Sequence, residues 1–476
     1  MKVITNRTLA KSGLIALLLN LLLFVYIVRN NGSHFLVSEL RRNPDATDYL
    51  TLGKNIALHR AFSRERQMPF SPDPLRTPLF PLAIAILGSW KHPWTIMAAN
   101  VVAHVATCVA IYHLVRSWRS ELEATIASLL VAVNITVAIN NFLVMSEAIF
   151  IGLLSMSLAV LLPPLLGAAT GGHNGRRIFI GGILLGLATL TRPTSLYLPV
   201  VLALVVFSTR GTPHGWKTRF RLVAAAVLGF AVLVLPWVVR NAAVFRVPRL
   251  TTVDSSNLVY FVGGGAFQVE RSLSLDGARR AIAEEYGLPS YSEVQNPWSS
   301  THTVREIDAR LRRAAPKVIL RYPRSLMLSS MLGLVKAVIS HNVSVLARIC
   351  GRQWANPGTR ELIHLRRPAL HRLLSNGPLL AGLCIYGSMI TLLTTLGSLI
   401  GTVTLVADRR SRQYGICLAS IAIYLCLTVM MFGFEANWRS ALPLLPVSAA
   451  LAGTGLVGAC RSSWEILMNG FFAHQG

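Results

Sequence analysis

Apolar stretches of about 17–25 residues recur along the chain, and they constrain its fold more than any other feature. A helix of that length crosses the hydrocarbon core of a bilayer. Hydrophobic residues make up 53% of the sequence and charged residues only 14%, too few to cover a soluble domain. The sequence therefore predicts an all-α polytopic membrane protein. No small-residue cleavage site follows the first stretch, Leu14 to Val28, so we interpret it as a first transmembrane helix.

Four short loops rich in Lys and Arg indicate the cytoplasmic side. These loops lie at 116–119, 173–177, 210–221 and 409–412. Placing all four inside predicts spans at 12–29, 94–115, 122–140, 148–167, 177–191, 194–208, 221–239, 378–406, 414–433 and 438–459. The apolar stretch 325–347 contains Lys336 and His341, and we interpret it as an interfacial or re-entrant segment. If it crossed, the 409–412 loop would lie outside, so the expected number of spans is about 10–11.

This topology divides the chain into three parts. Residues 1–239 form an N-terminal transmembrane module that includes an external loop at 30–93. Residues 240–376 are external, and they are the one region able to form a small subdomain of mixed helix and loop. Residues 377–476 contain the C-terminal transmembrane helices.

The chain is strongly basic, with 46 Lys and Arg against 20 Asp and Glu and a net charge of +26. In a membrane protein this excess favours anionic lipids, lipid phosphates or an acidic acceptor as partners, and we expect no nucleic acid. The six cysteines lie mostly in apolar spans and no pair has CxxC spacing, which indicates neither a disulfide framework nor a zinc site.

Two carboxylates, Asp45 and Asp48, stand close together just beyond the first span. Asn43-Pro44-Asp45 predicts the start of a helix that lies along the membrane surface, with Asn as its cap and Pro in its first turn. Carboxylates near a helix start interact favourably with the helix dipole, so capping alone can explain the pair. Proton abstraction and cation binding remain alternatives for these residues.

Other charged residues lie at the same external ends of the predicted spans. Glu147 follows an apolar segment with no basic residue nearby in sequence, so it either caps the next helix or faces a cavity or a partner. The arginines on this side are Arg76, Arg192, Arg240 and Arg439. Each fits an interfacial anchor, and as a group they suit bidentate recognition of a phosphate. Glu435 precedes Arg439 by four residues, which predicts a local ion pair.

Several of these segments form an ordered set of motifs. They are Asp45-Ala46-Thr47-Asp48-Tyr49-Leu50, Arg76-Thr77-Pro78-Leu79-Phe80-Pro81, Met145-Ser146-Glu147, Gly186-Leu187-Ala188-Thr189-Leu190-Thr191-Arg192-Pro193, Pro236-Trp237-Val238-Val239-Arg240-Asn241 and Asn437-Trp438-Arg439. The set resembles the GT-C superfamily of membrane glycosyltransferases, in the branch of the protein mannosyltransferases and the lipid A aminoarabinose transferase. The resemblance runs from the N-terminus to about residue 265 and resumes near 380.

The resemblance implies a GT-C-like helical bundle with external amphipathic helices, in which residues 1–239 form the catalytic module. It also implies a glycosyltransferase that uses a polyprenyl-phosphate-linked sugar. The acceptor would be a lipid, glycan or protein of the cell envelope, at the outer face of a bacterial inner membrane. By its spacing to Tyr49, Asp45 matches the family's general base better than Asp48. Trp438-Arg439 departs from the Arg-Tyr pair that is more usual at this position in the family. Residues 266–376 match nothing in the family, so we expect this segment to determine acceptor specificity.

We accordingly predict a site with two groups of residues. The catalytic residues are Asp45, Asp48 and Glu147, and the substrate-binding residues are Tyr49, Arg76, Arg192, Arg240, Asn241, Glu435 and Arg439. The apolar surroundings and the charge of Asp48 are expected to raise the pKa of Asp45 toward the working pH. Arg76 or Arg240 is expected to hold the leaving phosphate.

No residue spacing requires a cofactor or assigns a metal ligand, although three carboxylates can share a divalent metal ion. The main alternative function is a transporter or flippase of lipid-linked sugars. In such a protein we expect charges at mid-membrane depth and broken helices in paired halves. A non-catalytic scaffold is a third alternative, and it has no need of carboxylates and arginines on one surface.

Overall fold

The computed structural model describes residues 2–32, 43–167, 174–209, 214–354, 371–372 and 374–473, with side chains described between residues 11 and 461. Within these ranges every regular element is a helix. Two predicted basic loops, 173–177 and 210–221, include residues that the structure does not describe. The same is true of the predicted external segments 30–93 and 240–376. The N-terminal helices are α1 (Lys2–Asn31), α2 (Pro44–His59), α3 (Leu79–Ile86), α4 (Trp94–Arg116), α5 (Glu121–Ala132), α6 (Ile135–Asn140), α7 (Glu147–Leu165), α8 (Asn174–Thr191), α9 (Leu198–Ser208) and α10 (Trp216–Phe245).

The second half of the chain continues with shorter helices before it returns to long ones. Five small helices follow α10: α11 (Val253–Asn257), α12 (Gly264–Arg271), α13 (Leu275–Tyr286), α14 (Tyr291–Gln295) and α15 (Val304–Ile319). The remaining helices are α16 (Pro323–Ile339), α17 (Val343–Ile349), α18 (Pro378–Ala407), α19 (Arg412–Met430), α20 (Trp438–Ala441) and α21 (Leu445–Ala473).

Seven helices within the described residues are long and apolar enough to cross a membrane. They lie at Lys11–Asn31, Trp94–Arg116, Glu147–Leu165, Trp216–Phe245, Pro378–Ala407, Arg412–Met430 and Trp438–Arg461. The other three predicted spans are occupied by shorter helices: α5 with α6, α8, and α9. The predicted span 122–140 is interrupted because the side chain of Asn134 accepts hydrogen bonds from the amides of Thr136 and Val137, which starts a new helix. The chain is an all-α integral membrane protein.

Side-chain contacts show which loops share an end of the bundle. Arg119 lies 3.4 Å from a carboxylate oxygen of Asp408 and donates to Ser411 Oγ at 3.0 Å. The basic loops at 116–119 and 409–412 therefore lie together, at the end opposite to Asp45 and Glu147.

The stretch 323–349 forms two helices, α16 and α17, with a 63° bend between them. Both of its ends lie at the end of the bundle that carries Asp45. Near the start, Ser329 Oγ accepts from the amide of Phe434 at 3.0 Å. At the end, Asn31 donates to the carbonyl of Ile349 at 2.5 Å. At the bend, Asn342 donates to the carbonyl of Thr136 at 2.8 Å, which satisfies a backbone acceptor at the broken start of α6.

The short helices that precede α16 pack around an apolar core of their own, which lies outside the bundle. Its buried members include Val259, Tyr260, Phe267, Ile282, Leu311 and Val318. Capping boxes start two of these helices, at Ser290 with Glu293 and at Thr303 with Glu306. Since such boxes satisfy the free amides of a first turn, these helices can hold their form beyond the bilayer.

Small residues allow α8 and α10 to pack backbone against backbone. A Cβ atom at Gly182 would lie 2.1 Å from the carbonyl oxygen of Ala226, and one at Gly229 would lie 2.2 Å from that of Phe179. In a membrane, where lipid removes much of the hydrophobic driving force between helices, such close approach is a main source of association. It fixes the end of α8, where Arg192 stands.

A buried polar cluster joins α1, α4 and the turn that leads to α7. His104 Nε2 lies 3.0 Å from the carbonyl oxygen of Val131, which can only accept, so Nε2 carries the proton. Nδ1 therefore accepts from the amides of Asn20 at 3.1 Å and Asn141 at 3.2 Å. Asn141 also donates to Asn20 at 2.8 Å. The cluster holds the turn immediately before Glu147.

Candidate functional site

Asp45 is presented by the first turn of α2. Pro44 takes the first helical position, where its missing N–H costs nothing, and Asn43 has the extended backbone of a cap. The following turns of α2 pack on α3: Tyr49 meets Phe80 edge to face at 4.8 Å, and Gly53 lies against Ile84. The predicted helix start is therefore observed, and this packing on α3 holds the turn that carries Asp45 in place.

Two arginines hold the Asp45 carboxylate. Arg76 Nη2 lies 2.5 Å from Oδ1, and Arg439 Nη1 lies 2.5 Å from Oδ2. Burial acts to raise the pKa of Asp45, but the charges and hydrogen bonds of Arg76 and Arg439 outweigh it and hold the pKa well below its usual range. The expectation of a raised pKa is wrong for this arrangement, because apolar surroundings count for less than two guanidinium groups in contact.

Asp48 lies one turn further along and shares Arg76 with Asp45. Arg76 Nη2 approaches Asp48 Oδ2 at 2.8 Å, and Arg64 Nη1 approaches the same oxygen at 3.1 Å. Burial acts to lower the pKa of Arg76, but the negative charges beside it, that of Asp45 most of all, outweigh burial and raise the pKa. Arg76 therefore stays charged. Tyr49 lies under the guanidinium, with the Arg76 carbon 5.1 Å from the centre of the ring.

The loop that carries Arg76 is fixed by two residues that the sequence did not single out, Arg64 and Asp73. Asp73 is fully buried, and its Oδ1 accepts from the amides of Leu75 and Arg76, each at 2.8 Å. Arg64 Nε donates to Asp73 Oδ2, and Arg64 Nη2 donates to the carbonyl of Gln295 at 2.7 Å. Arg64 therefore ties Asp48, the Arg76 loop and the short helices that precede α16 together.

Glu147 is fully buried at the start of α7. Arg192 Nη1 lies 2.5 Å from its Oε1, and Arg439 Nε donates to the same oxygen. Its other oxygen, Oε2, is buried without a hydrogen-bond partner among the described atoms. Glu147 therefore has charged partners that are distant in sequence, as an ionisable group at the edge of a membrane requires.

Six side chains thus form one continuous row of alternating charge, which we call the charge chain. In order it consists of Asp48, Arg76, Asp45, Arg439, Glu147 and Arg192. Three acids face three arginines, so the row is neutral overall. It joins helix α2 to the start of α7, the end of α8 and the C-terminal segment.

Arg240 and Asn241 lie outside the charge chain. Arg240 Nη1 donates to the carbonyl of Asp73 at 3.2 Å and to Asn241 Oδ1 at 2.8 Å, and its guanidinium stacks on Trp237 at 4.7 Å. The amide of Asn241 donates to the carbonyls of Arg249 and Leu250 at 2.8 and 2.9 Å. Arg240 thus contacts the loop that carries Arg76, and Asn241 links Arg240 to residues 249–250.

Glu435 does not pair with Arg439, so the predicted local ion pair is wrong. The reason is that 433–435 is a turn of 3-10 helix and Asn437 is extended, so the two residues do not share a helix and the four-residue spacing carries no contact. Glu435 instead accepts from Gln268 at 3.2 Å, and Arg439 turns toward Asp45 and Glu147.

Arginines separate the carboxylates of the site. Arg76 lies between Asp45 and Asp48, and Arg439 lies between Asp45 and Glu147. Among the described residues no group of three or more His, Cys, Asp or Glu side chains is placed to hold a metal ion. What the arrangement offers is two guanidinium groups that flank one carboxylate. Such a pair can bind an anion beside a proton acceptor.

Part of the sequence matches a known family model. Residues 74–239 match the family model of the dolichyl-phosphate-mannose-protein mannosyltransferases. This range contains Arg76, Glu147 and Arg192 of the charge chain and ends before Arg439. No protein of curated function shows significant sequence similarity to the chain.

Solved structures are similar to a much larger part of the chain. The oligosaccharyltransferase of Archaeoglobus fulgidus, tethered to an acceptor peptide containing the NVT sequon, aligns with 96% of this chain and 50% of its own at a TM-score of 0.52 and 16% identity. AglB of the same organism, in complex with an inhibitory peptide and a dolichol-phosphate, aligns with 98% of this chain and 52% of its own (TM-score 0.48, 16% identity). ArnT from Cupriavidus metallidurans, bound to undecaprenyl phosphate, aligns with 93% of this chain and 79% of its own (TM-score 0.39, 15% identity).

The chain spans about half the length of the archaeal enzyme. Its fold is that of the GT-C membrane enzymes, as the resemblance in the motifs implied.

Proposed function

We propose that this protein is a membrane glycosyltransferase that moves a sugar from a polyprenyl-phosphate donor to a hydroxyl or amine of a lipid, glycan or protein acceptor of the envelope. The observation that carries the proposal is the charge chain, in which two arginines flank Asp45 at one end of a GT-C fold. The match of 74–239 to a family that uses a lipid-phosphate-linked mannose supports the donor class. The basic loops at the opposite end support an active site on the outer face of a bacterial plasma membrane.

Arg76 and Arg439 are the proposed phosphate ligands. Arg76 is largely buried, with 17% of its side chain exposed, and its Nε has no hydrogen-bond partner among the described atoms. Leaving a buried charged donor unpaired is costly, so an oxygen that reaches Arg76 Nε gains a contact there, while at Arg76 Nη2 it competes with Asp45 and Asp48. Guanidinium groups match phosphate geometry with paired hydrogen bonds, which favours them over ammonium groups in this role.

The proposed step is a single displacement. The acceptor oxygen or nitrogen attacks the anomeric carbon, and the bond between that carbon and the phosphate oxygen breaks with its electron pair on the phosphate. Asp45 takes the proton of the acceptor, and the configuration of the sugar is inverted. The leaving group changes from a phosphodiester with one negative charge to a monoester with two, so arginines beside it bind the transition state more tightly than the donor.

The low pKa of Asp45 before donor binding makes it a weak base, and donor binding is proposed to raise that pKa. When the donor phosphate takes hydrogen bonds from Arg76 and Arg439, Asp45 loses the partners that lower its pKa. Its basicity then rises only in the complex that needs it. Asp45 and the donor phosphate thus share the same two arginines.

Glu147 and Arg192 are proposed to position Arg439 and not to touch the sugar. Glu147 is wholly buried and receives both Arg192 Nη1 and Arg439 Nε on one oxygen, so it fixes the direction in which Arg439 points. The external helices are proposed to bind the acceptor, since Arg64 joins them to Asp48 through Gln295.

The proposal is tested with purified protein in proteoliposomes. Polyprenyl phosphates carrying different sugars are offered with an envelope extract as acceptor, and released polyprenyl phosphate and glycosylated product are both measured. Arg76→Gln and Arg439→Gln are each expected to lower the rate about 10²–10³-fold, as loss of one charge-stabilising donor does. Arg119→Gln is the matched control, because Arg119 pairs with Glu123 and Asp408 at the opposite end of the bundle, away from the charge chain.

Two results would overturn the proposal. Transfer at the wild-type rate by both arginine variants would exclude the charge chain as the site. Movement of lipid-linked sugar across the proteoliposome bilayer, with no product and no released polyprenyl phosphate for any donor, would instead support a flippase.

A further inference from the structure

We propose that the end of the bundle opposite to the charge chain contains a binding site for one anionic phospholipid. A cavity of about 660 Å³ opens there between α4, α7 and α8. Its volume lies within the roughly 300–1,000 Å³ of typical ligand sites. Its wall is apolar, with Val109, Met156, Val160 and Leu184 among its lining residues.

Three basic side chains form the polar end of this cavity: His113, Arg116 and Arg177. Arg116 Nε is buried and lacks a hydrogen-bond partner among the described atoms. In the described part of the chain neither Arg116 nor Arg177 has a carboxylate within ion-pair distance, whereas neighbouring Arg119 pairs with both Glu123 and Asp408. The adjacent undescribed stretch 168–173 contains no acidic residue in its sequence. Among the described side chains, the cavity therefore presents two arginines without a counter-ion.

The shape favours a lipid of one leaflet over a free phosphate ion or a long polyprenyl chain. Ala106 and Arg116 both line the cavity, ten residues apart on α4, so they are about 15 Å apart along the helix axis. That is half of the roughly 30 Å hydrocarbon core, the depth reached by the acyl chains of one leaflet. A phosphate at Arg116 thus places an acyl chain along the apolar wall.

The charge favours an anionic headgroup over a zwitterionic one. A choline or ethanolamine group would carry a positive charge into a cluster that already contains two arginines. Phosphatidylglycerol supplies the phosphate without that cation, and basic pockets between transmembrane helices on the cytoplasmic side bind anionic lipid head groups. A lipid held here packs against the same helices, α7 and α8, that carry Glu147 and precede Arg192 at their other ends.

Native mass spectrometry tests the site on the full-length protein. The protein is equilibrated in micelles with equal amounts of phosphatidylglycerol and phosphatidylcholine, and the lipids retained on it are counted. The wild type is expected to retain one phosphatidylglycerol in preference. Each of Arg116→Gln and Arg177→Gln is expected to lower that preference about five-fold, the effect of one basic charge at a lipid surface. Arg176→Gln is the matched control, since Arg176 is an exposed neighbour that does not line the cavity.

A second variant tests the apolar wall independently of charge. Val109→Phe fills part of the cavity and is expected to reduce lipid retention while both arginines remain. The proposal is overturned if the cavity variants retain lipid like Arg176→Gln, or if Val109→Phe retains as much as the wild type. Displacement of phosphatidylglycerol by an equal amount of polyprenyl phosphate would overturn it too, because the carrier would then be the occupant.

Discussion

Replacing Asp45 with Asn removes the proposed base and changes the shape of the side chain very little. The two flanking arginines keep other partners, because Arg76 still has Asp48 at 2.8 Å and Arg439 still has Glu147. We therefore expect the protein to fold, with a loss of about 1–3 kcal/mol in the free energy of unfolding from two charged hydrogen bonds.

The catalytic loss should be larger than the structural one. A positioned base contributes about 10²–10⁴-fold, which corresponds to roughly 3–5 kcal/mol of transition-state stabilisation. Since Asn does not hold the arginines by charge, the donor phosphate meets less competition for Arg76 and Arg439. Asp45→Asn should therefore lower kcat by about 10²–10⁴-fold and leave the KM for the donor equal to or below that of the wild type.

Steady-state kinetics over a range of donor concentrations measures both quantities, with Asp48→Asn as the matched control. That variant changes a carboxylate of the same helix but leaves Asp45 between its two arginines, so we expect a loss of about tenfold or less, close to 1.4 kcal/mol. A wild-type kcat in Asp45→Asn would refute the assignment of the base. Equal losses in the two aspartate variants would refute the distinction between them, and a raised donor KM in Asp45→Asn would refute the competition between Asp45 and phosphate.

Three further predictions concern stability and are measured by thermal unfolding in detergent. Glu147→Ala should lower the free energy of unfolding by about 3–5 kcal/mol, because it leaves buried arginine charge unpaired. Glu285→Ala, which breaks an exposed pair, should lower it by about 1 kcal/mol or less. Equal losses in the two variants would contradict a buried structural role for Glu147. Because the pKa of Asp45 is lower in the folded protein than in the unfolded chain, ionised Asp45 stabilises the fold. This contribution is complete above the pKa of the unfolded chain, near 3.9, and is lost as the pH falls through the lower pKa of the folded protein. The difference in Tm between wild type and Asp45→Asn should therefore shrink as the pH falls below about 4, and a constant difference would exclude the shift. Gly229→Ala should destabilise the protein by about 1–3 kcal/mol, because the added Cβ meets a carbonyl oxygen. Gly382→Ala, with open space around the added Cβ, should be neutral or stabilising. The opposite order would contradict the close packing of α8 and α10.

Local patterns were sufficient to predict the helical parts of the fold. Asn43-Pro44 predicted the start of α2, and seven of the ten predicted spans are long apolar helices, because hydropathy and length act along the chain itself. The interruption at Asn134 was missed because an amide that caps a new helix looks, in sequence, like an ordinary polar residue within an apolar run.

The site was predictable only in part. The sequence suggested that Asp45, Glu147 and Arg439 share a side of the membrane, but not that Arg439 bridges the two acids. That contact joins residues separated by hundreds of positions, and it displaced the local pair expected for Glu435. Arg64 and Asp73 lie in a loop without periodicity, so nothing in their spacing distinguished them from solvated charges.

The neutrality of the charge chain has a consequence for the energetics of turnover. Before the proposed transfer, the donor phosphate and Asp45 each carry one negative charge beside Arg76 and Arg439. Afterwards the phosphate carries two and the protonated Asp45 carries none, so the total charge between the two arginines is unchanged. The reaction relocates one negative charge by a few ångströms within a fixed frame of positive charge. Little dipolar reorganisation is then required of the surroundings, which suits an enzyme whose site lies against a bilayer that cannot reorient around a new charge.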